Sequence, residues 1–238
     1  MHEITVGSVT VQVVRKAIKN LHLGVYPPHG RVRVAAPLSV HDDAVRLAVI
    51  GKFGWIKSQQ AKFEAQPRQS PREMVSGETH YFLGRAHRLR VVEGDGPARV
   101  IGRARGIIKM NAPPDATEAE REEAIRHWYR RELQDRVPPL IEKWQRALGV
   151  EVAAWGIKRM KTRWGTCNST ARRIWLNLEL AKQPERCIEY LVVHELAHLR
   201  ERTHGPRFVA LMDAHLPQWR SLRRTLTEGP LAHESWRC

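Results

Sequence analysis

Residues 188–199 read Ile188-Glu189-Tyr190-Leu191-Val192-Val193-His194-Glu195-Leu196-Ala197-His198-Leu199. At 100° per residue a helix places His194 and His198 about 40° apart on one face. Two imidazoles one turn apart can point at a single tetrahedral cation. Glu195 falls about 60° round from His198, beside such a cation rather than on it. The remaining positions, Ile188, Val192, Val193, Leu196, Ala197 and Leu199, are apolar nearly all round, which marks a buried helix. Two histidines and a glutamate are expensive in such a place, so their presence needs a chemical reason.

The pattern is the H-E-x-x-H of zinc hydrolases, in which the glutamate takes a proton from a water held at the metal. Downstream, Arg200-Glu201-Arg202-Thr203 separates His198 from His204, and Gly205-Pro206 follows. The helix is expected to end between His198 and His204, with the next beginning at Pro206, because proline is favoured at the first helical position. His204 then sits at a chain reversal from which it can return to the same ion. Three histidines leave the fourth position of Zn2+ open, the signature of a catalytic rather than a closed structural site. The competing readings are a loop histidine at position 204 and core histidines at 194 and 198. No second oxyanion donor is legible. Tyr190 reads as packed, which leaves Arg207 and His215 as neighbours of interest.

Working back from this helix, Arg163-Trp164-Gly165-Thr166-Cys167 and Ile174-Trp175-Leu176-Asn177 read as strands. Trp164 is expected to pack, Gly165 to allow close helix–strand approach, and the strand backbone to offer an edge to an extended substrate. Cys167 reads as a small buried residue, with accessory ligation or redox chemistry as the alternatives. Residues 116–147 read as a long helix opened by a Thr117/Glu120 capping box, with a kink or break expected at Pro138-Pro139. Residues 79–111 alternate as strands, as do residues 3–36, where Pro27-Pro28-His29-Gly30 marks a hairpin turn. One helix is expected over about 39–64, capped by Ser39. Pro113-Pro114 places a domain boundary near Asn111–Asp115. The expectation is α+β: a strand-rich N-terminal domain with one helix (1–112), then a second domain (113–238). No internal repeat is visible.

Composition bounds the function. The chain of 238 residues is 42% hydrophobic and 27% charged, an ordinary globular balance. No apolar run approaches the roughly 18 residues of a membrane span, and no secretory signal is visible, so a cytoplasmic location is expected. Cys167, Cys187 and Cys238 are odd in number and lack C-x-x-C spacing, which argues against a disulfide scaffold. The net charge of +15 favours anionic partners. Between Glu151 and Glu179 no acidic residue occurs, yet Lys158, Arg159, Lys161, Arg163, Arg172 and Arg173 do. They could form a nucleic-acid-steering rim or simply a solvated sheet face. The alternative to a hydrolase is therefore a basic nucleic-acid-binding module with a structural zinc.

These blocks together resemble the YgjP-like zinc metallopeptidases, relatives of the SprT-like and WLM zincins. The run HELAHLRERTHGPRFVALM is similar to that family's active-site segment. Met160–Cys167 resembles its R-W-G-S-C strand, and Ile174–Leu178 the strand after it. In the first half, Gly77-Glu78-Thr79 through Leu83-Gly84-Arg85, and Trp55-Ile56, resemble further family blocks. The resemblance implies a minimal zincin-like domain with a small antiparallel sheet packed on the H-E-x-x-H helix. It also implies a peptidase using Zn2+ on His194, His198 and His204, with Glu195 as general base. The chain departs from related zincins at Glu201, where they often carry glycine, and at Thr203 and Gly205 around the third histidine.

Overall fold

The computed structural model describes residues 1–26, 30–65, 73–160 and 163–228. The expected turn at Pro27–His29, Lys161 and Cys238 lie outside the described residues. The fold is α+β. The chain forms two compact units, which meet between Ser70 and Pro71.

In the first unit, β1 (His2–Val6), β2 (Val9–Lys16), β3 (His22–Tyr26) and β4 (Arg31–Pro37) form a sheet in the order β1-β2-β4-β3. The outer pairs are antiparallel and the central β2–β4 pair is parallel. Alternation puts Val9, Val11, Val13, Val32, Val34 and Ala36 on the buried face, closed by Val45, Val49 and Ile56. The single helix expected over 39–64 is two helices, α1 (Asp42–Ile50) and α2 (Phe53–Ala65). His41 rather than Ser39 stands at the N-cap, and α1 ends at Gly51. The apolar spacing ran through both helices and so concealed the break at Gly51-Lys52.

In the second unit, β5 (Thr79–Phe82), β6 (Arg85–Glu93), β7 (Arg99–Ala104) and β8 (Ile107–Ala112) form a sheet in the order β5-β6-β8-β7, again antiparallel, parallel, antiparallel. It is followed by α3 (Glu118–Leu148). The chain therefore uses one four-stranded topology twice, a repeat that the sequence conceals. Gly30, Val32, Val34, Ala36 and Pro37 correspond to Gly106, Ile108, Met110, Ala112 and Pro113, with both glycines left-handed and Val32, Val34, Ala36, Ile108, Met110 and Ala112 buried. The pairing Ile4↔Val11 corresponds to His80↔His87. What is repeated is which face is buried, and many side chains satisfy that.

The boundary expected near Asn111–Asp115 is not where the units divide. The β5–β8 sheet shares its core with α3: Phe82 packs on Trp128 at 4.7 Å, and the Tyr129 hydroxyl donates to the Tyr81 carbonyl at 2.6 Å. Pro113-Pro114 marks a strand-to-helix turn inside one unit. The capping box at Thr117/Glu120 is present, and Gly149 closes α3 in the left-handed conformation. The helix does not break at Pro138-Pro139. Leu133, Val137, Ile141, Trp144 and Leu148 make one buried stripe across the prolines, and that packing outweighs the ~3 kcal/mol a helical proline costs.

The rest of the second unit carries the site. Strands β9 (Ala154–Lys158), β10 (Gly165–Asn168) and β11 (Arg173–Asn177) form a sheet in the order β10-β11-β9. The sheet is mixed rather than antiparallel, since β9 and β11 run parallel. A 3-10 turn (Leu178–Lys182) leads into α4 (Glu185–Ala197), then α5 (Pro206–His215) and α6 (Trp219–Glu228). Among the described residues no helix is long and apolar enough to cross a membrane.

The β5–β6 turn is tied to the approach to α4. Leu83 and Gly84 donate backbone hydrogen bonds to the carbonyls of Ala181 and Lys182, at 2.9 and 3.0 Å. Gly84 has φ +77°, and a Cβ there would lie 2.8 Å from Pro184 Cγ; Gly96 has the same φ with open space around it. Gly84→Ala should therefore lower stability by ~1–3 kcal/mol in urea unfolding, more than Gly96→Ala. Equal costs would show that the Pro184 contact adds nothing to the backbone strain.

Candidate metal centre

Helix α4 forms because its apolar residues face the core on nearly every side; Ile188, Val192, Val193, Leu196 and Ala197 are fully buried. It ends at His198, as expected, and α5 starts at Pro206 with Gly205 as N-cap. Between them the chain reverses without a left-handed residue, which is why Glu201 and Thr203 can stand in for glycine and asparagine.

The reversal brings His194, His198 and His204 together: one nitrogen from each lies within 4.8 Å of the others. His194 Nε2 and His204 Nε2 are 3.1 Å apart. Nitrogens bound to one zinc at ~2.0–2.1 Å in tetrahedral geometry would stand ~3.3 Å apart, so the donor set fits such an ion. Two imidazole lone pairs at this separation repel unless a proton or cation lies between them. His198 Nδ1 lies 3.1 Å from the Glu201 carbonyl, a contact that fixes the proton on Nδ1 and leaves Nε2 free to ligate. His194 Nδ1 is buried with no hydrogen-bond partner.

His194 and His198 are both held towards the neutral form. Burial, then the neighbouring His198 and His204 and the Arg223 guanidinium, push His194 down to about 3. His198 is lowered as well, chiefly by burial. Glu195 moves the other way: only 4% exposed, it is pushed up to about 8 by desolvation, against the pull of Arg163. Its carboxyl group lies against Gly165 of β10, where a Cβ would come within 2.4 Å of Oε1. The close helix–strand approach expected at Gly165 is thus a close approach to this carboxyl group.

A cleft of about 400 Å³ opens over these groups, and Arg163, Trp164, His194, Glu195, His204 and Arg223 are among its lining residues. Trp164 both packs on the core and lines the cleft. Tyr190 is packed edge-on against His194 at 5.7 Å, and burial pushes its hydroxyl up to about 12. Arg207 and His215 do not line the cleft, and His215 packs edge-on against Trp144. Cys167 is free and is not part of the metal-holding group; burial and Glu195 push its thiol up to about 11, which keeps it protonated. Of the described residues of the basic run, Arg163 alone lines the cleft. Lys158 lies over the Trp175 ring at 4.8 Å and Arg172 pairs with Glu151 at 2.7 Å. Arg159 follows β9 and Arg173 opens β11.

Three residues of the site escaped sequence reasoning. Phe208 of α5, 1% exposed, packs on all three imidazoles, with ring centroids 5.1, 4.8 and 4.7 Å from His194, His198 and His204. The signal available was its place two residues after Pro206. Asn177, at the end of β11, is buried and clamps the chain leading into β10. Its amide donates to the carbonyls of Met160 and Arg163, both at 2.8 Å, and its Oδ1 accepts from Met160 N at 3.3 Å. Arg223 gave no local signal, because it reaches the cleft from α6.

Comparison with known proteins agrees with this geometry. A family profile described as YgjP-like, metallopeptidase domain, matches residues 19–229. The chain belongs to the YgjP-like metallopeptidase family. Among solved structures it is similar to the metallopeptidase zymogen abylysin of Pyrococcus abyssi, at 21% identity and TM-score 0.36, covering 41% of this chain and 99% of that one. It is also similar to the zymogen jannalysin of Methanocaldococcus jannaschii, at 18% identity and TM-score 0.34, covering 37% and 90%. No curated protein matches the chain.

The opposed shifts give the metal-free protein a definite pH profile. Below the ordinary histidine value of 6.5 the unfolded chain binds protons that His194 refuses until about 3, so stability falls as the solution is acidified. Above the ordinary glutamate value of 4.5 the folded chain keeps a proton on Glu195 up to about 8, so stability falls as pH rises. Below 6.5 the Glu195 slope offsets that of one histidine, and the lowered His198 leaves a net fall on acidification. Urea midpoints of chelator-treated protein should peak near pH 6.5 and decline on both sides, and zinc should remove the alkaline decline. A midpoint that climbs from pH 6.5 to 8 without metal would contradict the buried, protonated Glu195.

Proposed function

We propose that the protein is a zinc-dependent peptidase in which His194, His198 and His204 hold the metal and Glu195 is the general base. The observation that carries this reading is the convergence of three imidazoles beside an open cleft, with one buried carboxyl group next to them. When bound, the cation supplies Lewis acidity to the scissile carbonyl and lowers the pKa of water. Its charge also draws the Glu195 carboxyl towards ionisation, reversing the effect of burial.

Glu195 then accepts the proton of the attacking water and passes it to the leaving amine nitrogen, the two halves of general base and general acid work. Gly165 leaves room for that carboxylate. The outer edge of β10 is unpaired within its sheet, and it supports an extended substrate by backbone hydrogen bonds. Trp164 and Phe208 exclude water from two sides, which strengthens charge interactions inside. The natural targets include proteins associated with nucleic acid in a second, broader reading, which the net charge of +15 favours.

Glu195→Gln should retain one zinc per chain and lose ~10²–10⁴-fold in peptide hydrolysis, measured with metal analysis on the same preparation. Undiminished hydrolysis would remove the general-base role. Gly165→Ala should also keep zinc while losing activity, because its methyl group displaces the carboxyl group and no ligand. DNA binding that does not weaken between low and physiological salt would count against the nucleic-acid reading.

A further inference from the structure

The β5–β8 sheet packs one face on α3 and leaves the other exposed. On β6 the alternation buries His87 and Leu89 and exposes Arg88 and Arg90; on β8 it buries Ile108 and Met110 and exposes Lys109. Arg90 and Lys109 are direct partners in the parallel β6–β8 pair, and Arg88 stands two residues from Arg90 on the same side. Neighbouring strands lie ~4.8 Å apart and same-side residues recur every ~6.7 Å, so three cationic side chains rise from one small patch. On its other side Lys109 faces Gly102, which has no side chain to cover it.

Nothing on this face offsets the charge. The remaining same-side positions of β5, β6 and β8, such as Thr79, Ala86 and Ile107, carry no Asp or Glu. Glu78 belongs to the opposite side, with a carboxylate oxygen 3.7 Å from His80 Nε2. Asp95 lies in the loop beyond Asn111, whose amide donates to the Asp95 carbonyl at 3.2 Å. Arg88 gives one N–H to the Gly77 carbonyl at 2.5 Å, a neutral acceptor that steadies the guanidinium and leaves its charge. Arg90 and Lys109 have no ion-pair partner among the described residues. Like charges side by side across a strand pair cost stability. The topology does not demand that cost. At the equivalent pair of the first sheet, neutral Gln12 stands beside Arg33 and donates to Glu3 on the same face at 3.0 Å.

We propose that the exposed face of the β5–β8 sheet binds the phosphate backbone of nucleic acid through Arg88, Arg90 and Lys109, without regard to sequence. A duplex presents one negative charge per ~1.7 Å, dense enough to meet three cations in so small a patch. Guanidinium groups match phosphate oxygens in pairs. Anionic membranes call for clusters of about 4–8 basic residues, more than this face holds. No Trp or Phe stands at the same-side positions to stack on bases, so the contacts are to the backbone. The binding is independent of the peptidase chemistry, and it gives the nucleic-acid reading of the targets a surface. DNA and RNA share the phosphate chemistry, and the assay separates them.

The test is fluorescence anisotropy of the full chain with labelled mixed-sequence DNA duplex, DNA strand and RNA strand, and sedimentation with phosphatidylserine vesicles. With three phosphate contacts the duplex affinity should fall about fortyfold between about 50 and 200 mM salt. Arg88→Gln/Arg90→Gln/Lys109→Gln should weaken binding at least ~tenfold at the lower salt and flatten the salt dependence. Lys16→Gln/Lys19→Gln/Lys52→Gln, which removes the same charge from exposed positions of the first unit, should stay within about twofold of wild type. Whichever nucleic acid binds tightest identifies the source of the phosphate. Arg90→Glu sets opposite charges side by side at Lys109, so its urea midpoint should rise while its nucleic-acid affinity falls, which separates lost binding from lost folding. No binding by wild type, equal losses in the two triple variants, tighter binding to vesicles than to every nucleic acid, or a lower midpoint in Arg90→Glu would each overturn the proposal. The readout involves no turnover, so loss of hydrolysis in Glu195→Gln leaves it standing, and its own failure leaves the metal centre untouched.

Discussion

Three imidazole nitrogens crowded onto one point, on the inner side of a buried helix, are the constraint around which the second unit is arranged. Burial denies His194 a second proton, so a cation or a proton shared between rings is what relieves the crowding. The fold supplies what such crowding needs. Apolar residues hold α4 from nearly every side, Phe208 closes the floor beneath all three rings, and the Glu201 carbonyl fixes the tautomer of His198. The arrangement is expensive for folding and favourable for a metal, a combination typical of sites kept for chemistry rather than stability.

Glu195 depends on the same burial for a different purpose. A carboxyl group pushed up to about 8 by desolvation keeps its proton at neutral pH when alone and ionises more readily when a cation sits nearby. Its position is set from β10 rather than from its own helix, because only glycine at 165 leaves the needed space. Asn177 in turn holds the chain entering that strand through both ends of its amide. Thus the His194–Glu195 face of α4 is completed by backbone held from β11, and the sheet orders the site although none of its side chains belongs to the three-histidine group.

Local features of the chain were legible in advance. The helical spacing of His194, Glu195 and His198, the helix start at Pro206, and the Thr117/Glu120 box are each settled within a few residues, and each is found where the sequence puts it. Features made by distant contacts were not. Pro113-Pro114 looks like a boundary until Phe82 is seen against Trp128, and Pro138-Pro139 looks like a break until the stripe from Leu133 to Leu148 is seen to be buried. The repeated sheet escaped notice because alternation constrains which side is apolar, not which side chain provides it. Phe208, Asn177 and Arg223 take their roles from neighbours far along the chain.

The charge of the protein shows the same distinction between composition and placement. A chain of +15 invites the idea of a uniformly attractive surface, yet the basic run before α4 is divided in the fold. Arg172 is spent on Glu151 and Lys158 on the face of Trp175, leaving Arg163 at the cleft. Its counterpart Arg223 comes from a helix whose other face pairs Arg220 with Asp213. Guanidinium groups at the mouth of an open cleft act mainly within a Debye length of it. Diffuse surface charge acts further out and is screened strongly. Charge beside the three histidines and charge on the rest of the surface therefore come from different arginines, and either can be altered without the other.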